Sequence, residues 1–342
     1  MPATTIMDCL RQLENFTPRM ETATPVNRVP RNNNFDNGHI FYAVLEYAIQ
    51  FSPEREKMTY YYSISQKLLI ASRQNDRHVA GYLLNKLVDN GVSRVRLGTE
   101  LSYHALHSVF NPAIAYYYYF LLHDYTNAEK YMLALLENID YLIAHGFRDG
   151  MYMKIEQYLN TSRVYFNAGE YEKSAVYARE VMQYLLSDDP CTFEFAFRDV
   201  MHSSKQLTSI LDLFFNGLIF KTLAKAGPGD FYRNRFLVSV FSDLDITYNR
   251  VMDQDLRQSI TAFRLILEDR GEEALTVILD SRIFESHIPS SLRYFLLNWL
   301  LLRDEAGEIP DQLRNSIVDY QRNELRLSDA QIGISQTQPA AA

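Results

Sequence analysis

Two amphipathic stretches separated by the short turn Asn167-Ala168-Gly169-Glu170 fill residues 151–186, and this unit constrains the fold more than any other. In the first stretch Met151, Ile155, Tyr158, Ser162 and Tyr165 recur at steps of three and four, which places them on one face of a helix. In the second, Tyr171, Ser174, Ala178, Val181 and Leu185 recur in the same way, with small residues where two helices would approach closely. The pattern predicts an αα-hairpin, and much of the chain repeats it.

The repeat emerges when the turns are aligned. Asp76-Arg77 is followed by Ala80, Leu84 and Leu87; Asp124-Tyr125 by Ala128, Met132 and Leu135; Glu170-Tyr171 by Ser174, Ala178 and Val181. The acidic residues Asp76, Asp124 and Glu170 stand 48 and 46 residues apart, and each opens the second helix of a pair. Gly271-Glu272-Glu273-Ala274 is a fourth, weaker copy. A roughly constant period of helix pairs predicts a solenoid, in which each pair buries its faces against its neighbours. Scarce turn formers agree, since 13 glycines and 11 prolines in 342 residues mean few turns and long helices.

In chain order, residues 1–35 read as a short helix and a strap rich in Pro, Asn and Arg at 22–34. Helices are expected at 39–51, opened by Asp36, and at 57–73 and 77–88, the last closed by Asn90-Gly91. They continue at 98–110, from Asn111-Pro112 to about 123, and at 125–145. After the hairpin, Asp188-Asp189-Pro190 precedes a short and a long helix within 193–225, and the apolar run 207–223 reads as core. Asp212 and Asn216 in that run argue against a membrane span. Gly227-Pro228-Gly229 marks a wide loop. Helical periodicity returns at 230–246, 248–269, 272–284, 291–304 and 311–325, and a polar tail, 326–342, reads as disordered. The expectation is an all-α, right-handed solenoid of about 14–16 helices: repeats at 36–226, continued at 227–325.

The run Tyr158, Ser162, Tyr165, Gly169-Glu170-Tyr171 resembles the tetratricopeptide repeat (TPR), whose first helix carries an aromatic, a small residue and a tyrosine in this order. Thr161, Ser174 and Ala178 depart from that pattern, and Tyr116 takes the small position in the copy before Asp124, so close packing is expected to weaken there. The period exceeds the standard repeat of about 34 residues, which makes the chain similar to long-helix relatives such as the sensor domains of bacterial peptide-responsive regulators. The resemblance implies a concave groove, lined by the first helix of each pair, that binds a peptide or protein segment. Arg73, Tyr117, Arg163 and Asn167 are then the candidate ligand-binding residues. Arginine forks onto carboxylates, asparagine clamps a peptide backbone, and tyrosine supplies rigid contact area.

Other classes fare worse. A net charge of -8 opposes a phosphate-binding surface, so no nucleic acid is expected. Cys9 and Cys191 form neither a disulfide framework nor a zinc motif, and residues 1–15 lack a signal-peptide core, which suits a cytoplasmic protein. Glu100, His104 and His107 share a helix side but match no metal motif, so neither metal nor cofactor is expected. Asp188-Asp189 and Asp253-x-Asp255 do not complete an aspartate-rich magnesium site. Residues 217–222 are not a P-loop, and 91–95 are not a nucleophile elbow. The chain reads as a non-enzymatic scaffold, adaptor or sensor. The runner-up is an all-helical enzyme with a non-standard site in the Tyr-rich region, whose turnover would be abolished by changing Glu100 or His104. A further alternative is a peptide-gated regulator acting through a partner, since neither end carries a basic helix-turn-helix. No feature specifies an oligomeric state.

Overall fold

A computed structural model of the protein describes residues 4–14, 46, 54–88, 99–187, 210–211, 214–219, 228–247, 254–281, 283–285, 288–304, 307, 309–324 and 329–332. Among these residues the fold is all-helical, without strands. The strap at 22–34, the helix expected at 39–51 apart from Glu46, the breaks at Asn90-Gly91 and Asp188-Asp189-Pro190, and Cys191 lie outside the described residues, as do 91–95, Asp253 and most of 193–225.

The chain divides into two compact units, residues 35–181 with 191–200, and residues 1–34 with 182–190 and 201–342. In the first, α2 (Arg55–Arg73) packs against α3 (Arg77–Val88) and against α4 (Glu100–Tyr116). α4 packs in turn on α5 (Tyr125–Ala144), and α5 on α6 (Gly150–Ala168), which leads through Gly169-Glu170 into α7 (Tyr171–Leu186). Met151, Ile155, Tyr158, Ser162 and Tyr165 are all buried, as are Ser174, Ala178, Val181 and Leu185. Tyr171 departs from the expected face. As the first residue of α7 it is 46% exposed and lies edge-on to Phe166.

The hairpin turns share one geometry. Asn75, His123, Gly169 and Asp269 each adopt a left-handed conformation, with φ of 58°, 53°, 83° and 60°. In three turns the following N–H reaches back five residues to a helix carbonyl: Asp76 to Ala71 at 3.0 Å, Glu170 to Tyr165 at 2.9 Å, and Arg270 to Leu265 at 2.9 Å. This cap satisfies carbonyls that a helix end leaves without partners. Asp76 and Asp124 also accept bonds from the N–H of Val79 and Asn127, both at 3.0 Å, and so cap the second helices.

The turn at His123 differs by one residue. The Asp124 N–H reaches back six residues to the Tyr118 carbonyl, because Tyr117–Leu122 forms a π-helical turn. Counting back three from each accepting carbonyl gives Leu68, Ala115, Ser162 and Ala262, all buried. By this count Ala115 stands where the sequence alone placed Tyr116, and Ala115 is buried. Across each pair stands Ala80, Ala128, Ser174 or Ala274, also fully buried. Ser162 and Ser174 go further, each hydroxyl donating to the other's carbonyl at 2.8 Å.

The break expected at Asn111-Pro112 does not occur, and α4 runs through Pro112. An interior proline costs about 3 kcal/mol. Burial of Leu106, Val109, Phe110, Ala113 and Ile114 offsets this, at about 1.5–3 kcal/mol for each large side chain.

In the other unit α1 (Thr4–Glu14) docks on α10 (Gly271–Ser281), with the Gln12 amide donating to the Ile278 carbonyl at 2.9 Å. α9 (Gln254–Leu267) packs on α10 and on α11 (Ser290–Arg303). Phe215, Phe241, Phe263 and Phe295 form its aromatic core, with Phe231 stacked on Phe295. Within 207–223, Ile210, Leu211, Phe214, Phe215, Leu218 and Ile219 are buried, in keeping with the core reading, with a π-helical turn at Phe215–Ile219.

The single helix expected at 230–246 instead splits into the turn Pro228–Phe231 and α8 (Arg235–Phe241), because Asn234 caps α8 by accepting from the Phe236 N–H. α12 (Asp311–Asp319) runs into a third π-helical turn, Tyr320–Glu324. The tail expected to be disordered contains one helical turn, Asp329–Ile332, held by the buried Ile332 and by Arg322, which donates twice to Asp329. No described helix is long and apolar enough to cross a membrane.

Candidate functional site

Three of the four candidate residues meet, and α6 explains why. Glu156, Asn160, Arg163 and Asn167 follow one another at steps of four, three and four, so a single stripe of α6 is polar where its opposite face is core. The Arg163 guanidinium donates to Asn160 Oδ1 at 2.6 Å. The Asn167 amide donates to the Arg163 carbonyl at 2.7 Å and to the Tyr119 hydroxyl at 3.0 Å, joining α6 to the π-helical turn. From the last turn of α2, Arg73 lies over the Tyr116 ring, 5.8 Å from its centroid. Tyr116 in turn stacks on Phe120, at 5.2 Å. Side chains from three successive first helices, α2, α4 with its π-helical extension, and α6, thus converge on one patch.

Tyr117 does not join them. One residue beyond Tyr116, it is turned about 100° around the helix. Its hydroxyl lies beside Gly81 of α3, and its ring packs edge-on to Tyr118. Tyr116 and Tyr119, three apart, take the place expected of it. The α6 stripe carried the other missed residues, and its spacing was visible in the sequence. The π-helical turn that aims Tyr119 was not.

Electrostatics make Glu156 the unusual member. Burial pushes its carboxyl up to about 7, against the Arg163 guanidinium, a hydrogen bond with Asn160 and the charge of Arg73, all of which favour the ionised form. Burial lowers Arg163 from its ordinary value, partly opposed by Glu156 and Tyr119. Burial also raises the Tyr116 hydroxyl, with Arg73 pulling the other way. Arg163 Nε is screened from water and has no hydrogen-bond partner. A recessed guanidinium with an unused donor, beside a carboxyl that titrates near neutrality, suits recognition of a polar group.

No family model matches this chain. No curated protein and no solved structure matches it either.

The Glu100, His104 and His107 side of α4 is arranged as packing. His104 shares a 2.7 Å hydrogen bond with Asn138 and stacks on Tyr141 at 3.8 Å, while His107 lies against Tyr103. Among the described residues no group of three His, Cys, Asp or Glu side chains is placed to hold a metal ion.

Proposed function

We propose that this is a TPR-like helical solenoid, cytoplasmic and non-enzymatic, that holds a peptide or protein segment against the first helices of its repeats as a scaffold or sensor. The observation that carries this reading is the convergence of Arg73, Tyr116, Tyr119, Arg163 and Asn167 from three successive first helices. A short segment crossing those helices meets a different side chain at each, with Asn167 Oδ1 to accept from its backbone and the arginines to bind its acidic groups. The shared turn geometry and the small residues at matching depths support repetition of one building block.

The test is a random-peptide library displayed on phage and selected on the full chain. Peptides so enriched should lose at least tenfold in affinity with Asn167→Ala or Arg163→Ala, about 1.4 kcal/mol, while far-UV circular dichroism stays unchanged. Equal affinities would remove this patch from the binding surface. Tyr117→Ala is expected to leave affinity within about twofold, because its ring packs beside α3.

A further inference from the structure

The polar patch contains its own anion. Glu156 opens the stripe on α6, bonds Asn160 one turn on, and feels two guanidiniums, Arg163 from its own helix and Arg73 from α2. The end of α4 and its π-helical extension contribute tyrosine hydroxyls, Tyr116 lying under Arg73 and Tyr119 accepting from Asn167. Carboxylates of the flanking helices have partners of their own: Glu129 accepts from Tyr165, Asp140 pairs with Lys154 and Glu170 with Lys173. With Glu156 ionised, an incoming oxyanion would meet a like charge among half-buried side chains, an arrangement that favours protonation of the carboxyl.

We propose that Glu156 is an internal counter-ion for Arg73 and Arg163, and that an oxyanion carried by the ligand takes its place only as Glu156 accepts a proton. This rests on the groove reading above and adds to it the ligand's charge and a coupling to pH. The carboxyl, poised near 7, is then neutral in most molecules at pH 6 and ionised in most at pH 8. If only the protonated form is competent, apparent affinity scales with that fraction, about tenfold between the two.

Sulfate is a suitable probe because it keeps its double charge throughout this range. Calorimetric titration of the full chain should give about tenfold tighter sulfate binding at pH 6 than at pH 8, with about half a proton taken up per sulfate near pH 7 and about 0.9 at pH 8. Glu156→Gln, which keeps the shape and removes the charge, should bind equally at both pH values, at the pH 6 strength or better. The same slope in Glu156→Gln, a flat profile in the wild type, or no sulfate binding in either would overturn the proposal. The phage-selected peptides separate this failure from that of the groove. If they bind independently of pH yet still depend on Asn167, the groove stands and the proton coupling falls.

Discussion

Ser162 shows how much one small side chain decides. It sits where α6 and α7 approach, exchanging hydroxyl–carbonyl bonds with Ser174. Ser162→Leu overfills that contact at about 1–3 kcal/mol and forfeits a buried hydrogen bond worth about 1 kcal/mol. Urea unfolding should show a loss of about 2–4 kcal/mol, whereas Ser162→Ala should lose about 1 kcal/mol. A neutral Ser162→Leu would mean that the helices part more readily than these bonds imply. The serine's role was legible in the sequence because spacing and size agree. The place of Glu156 on the α6 stripe was legible in the same way, but its unusual carboxyl was not, since that comes first from burial by neighbouring helices, about which a one-dimensional pattern carries no information.

At the scale of the element, the informative feature is the π-helical turn Tyr117–Leu122. It adds one residue between the cap and Ala115 and swings Tyr119 onto Asn167. Deleting Phe120, which is exposed, should give Asp124 the same five-residue cap that the other hairpins have, with Ala115 still at the helix contact. The variant is expected to keep its circular dichroism and lose about 1 kcal/mol or less in stability. It should bind the selected peptides more weakly, because Tyr119 is re-aimed. Collapse of the helical signal would show that the extra residue is needed for folding. Helix existence was read well from hydrophobic spacing, with 77–88 matched end to end. The misses fall where a local signal was outweighed: Pro112 by burial of its neighbours, the break before α8 by the Asn234 cap, and the tail by Ile332.

For the whole molecule, α1 ties the first described residues to α10, some 266 residues on. Cys9 and Leu10 are fully buried, and the Cys9 thiol, pushed up to about 12 by burial and then by the charge of Asp8, points at the Leu275 carbonyl. A thiol so placed is almost wholly un-ionised at pH 8 and shielded from reagents. In a Cys191→Ser background, labelling of Cys9 by an aromatic disulfide reagent at pH 8 should run at least about 1,000-fold slower than in the unfolded chain, and accelerate in urea together with global unfolding. Labelling at the free-thiol rate would mean that α1 leaves α10 easily. No periodicity argument reached this docking, because the amphipathic face of a lone helix does not say which of many partners it will meet.

The docking of α1 also sets an order of events on the ribosome. Gln12 bonds to a carbonyl 266 residues downstream, so α1 emerges long before its partner exists. At about 5–20 residues per second, the apolar side of α1 stays uncovered for roughly 13–50 s, while residues 35–181 are made and free to fold. A helix made about 260 residues later is thus what closes over α1, and a chain stalled before residue 271 would carry a greasy, unmatched α1 into the company of chaperones.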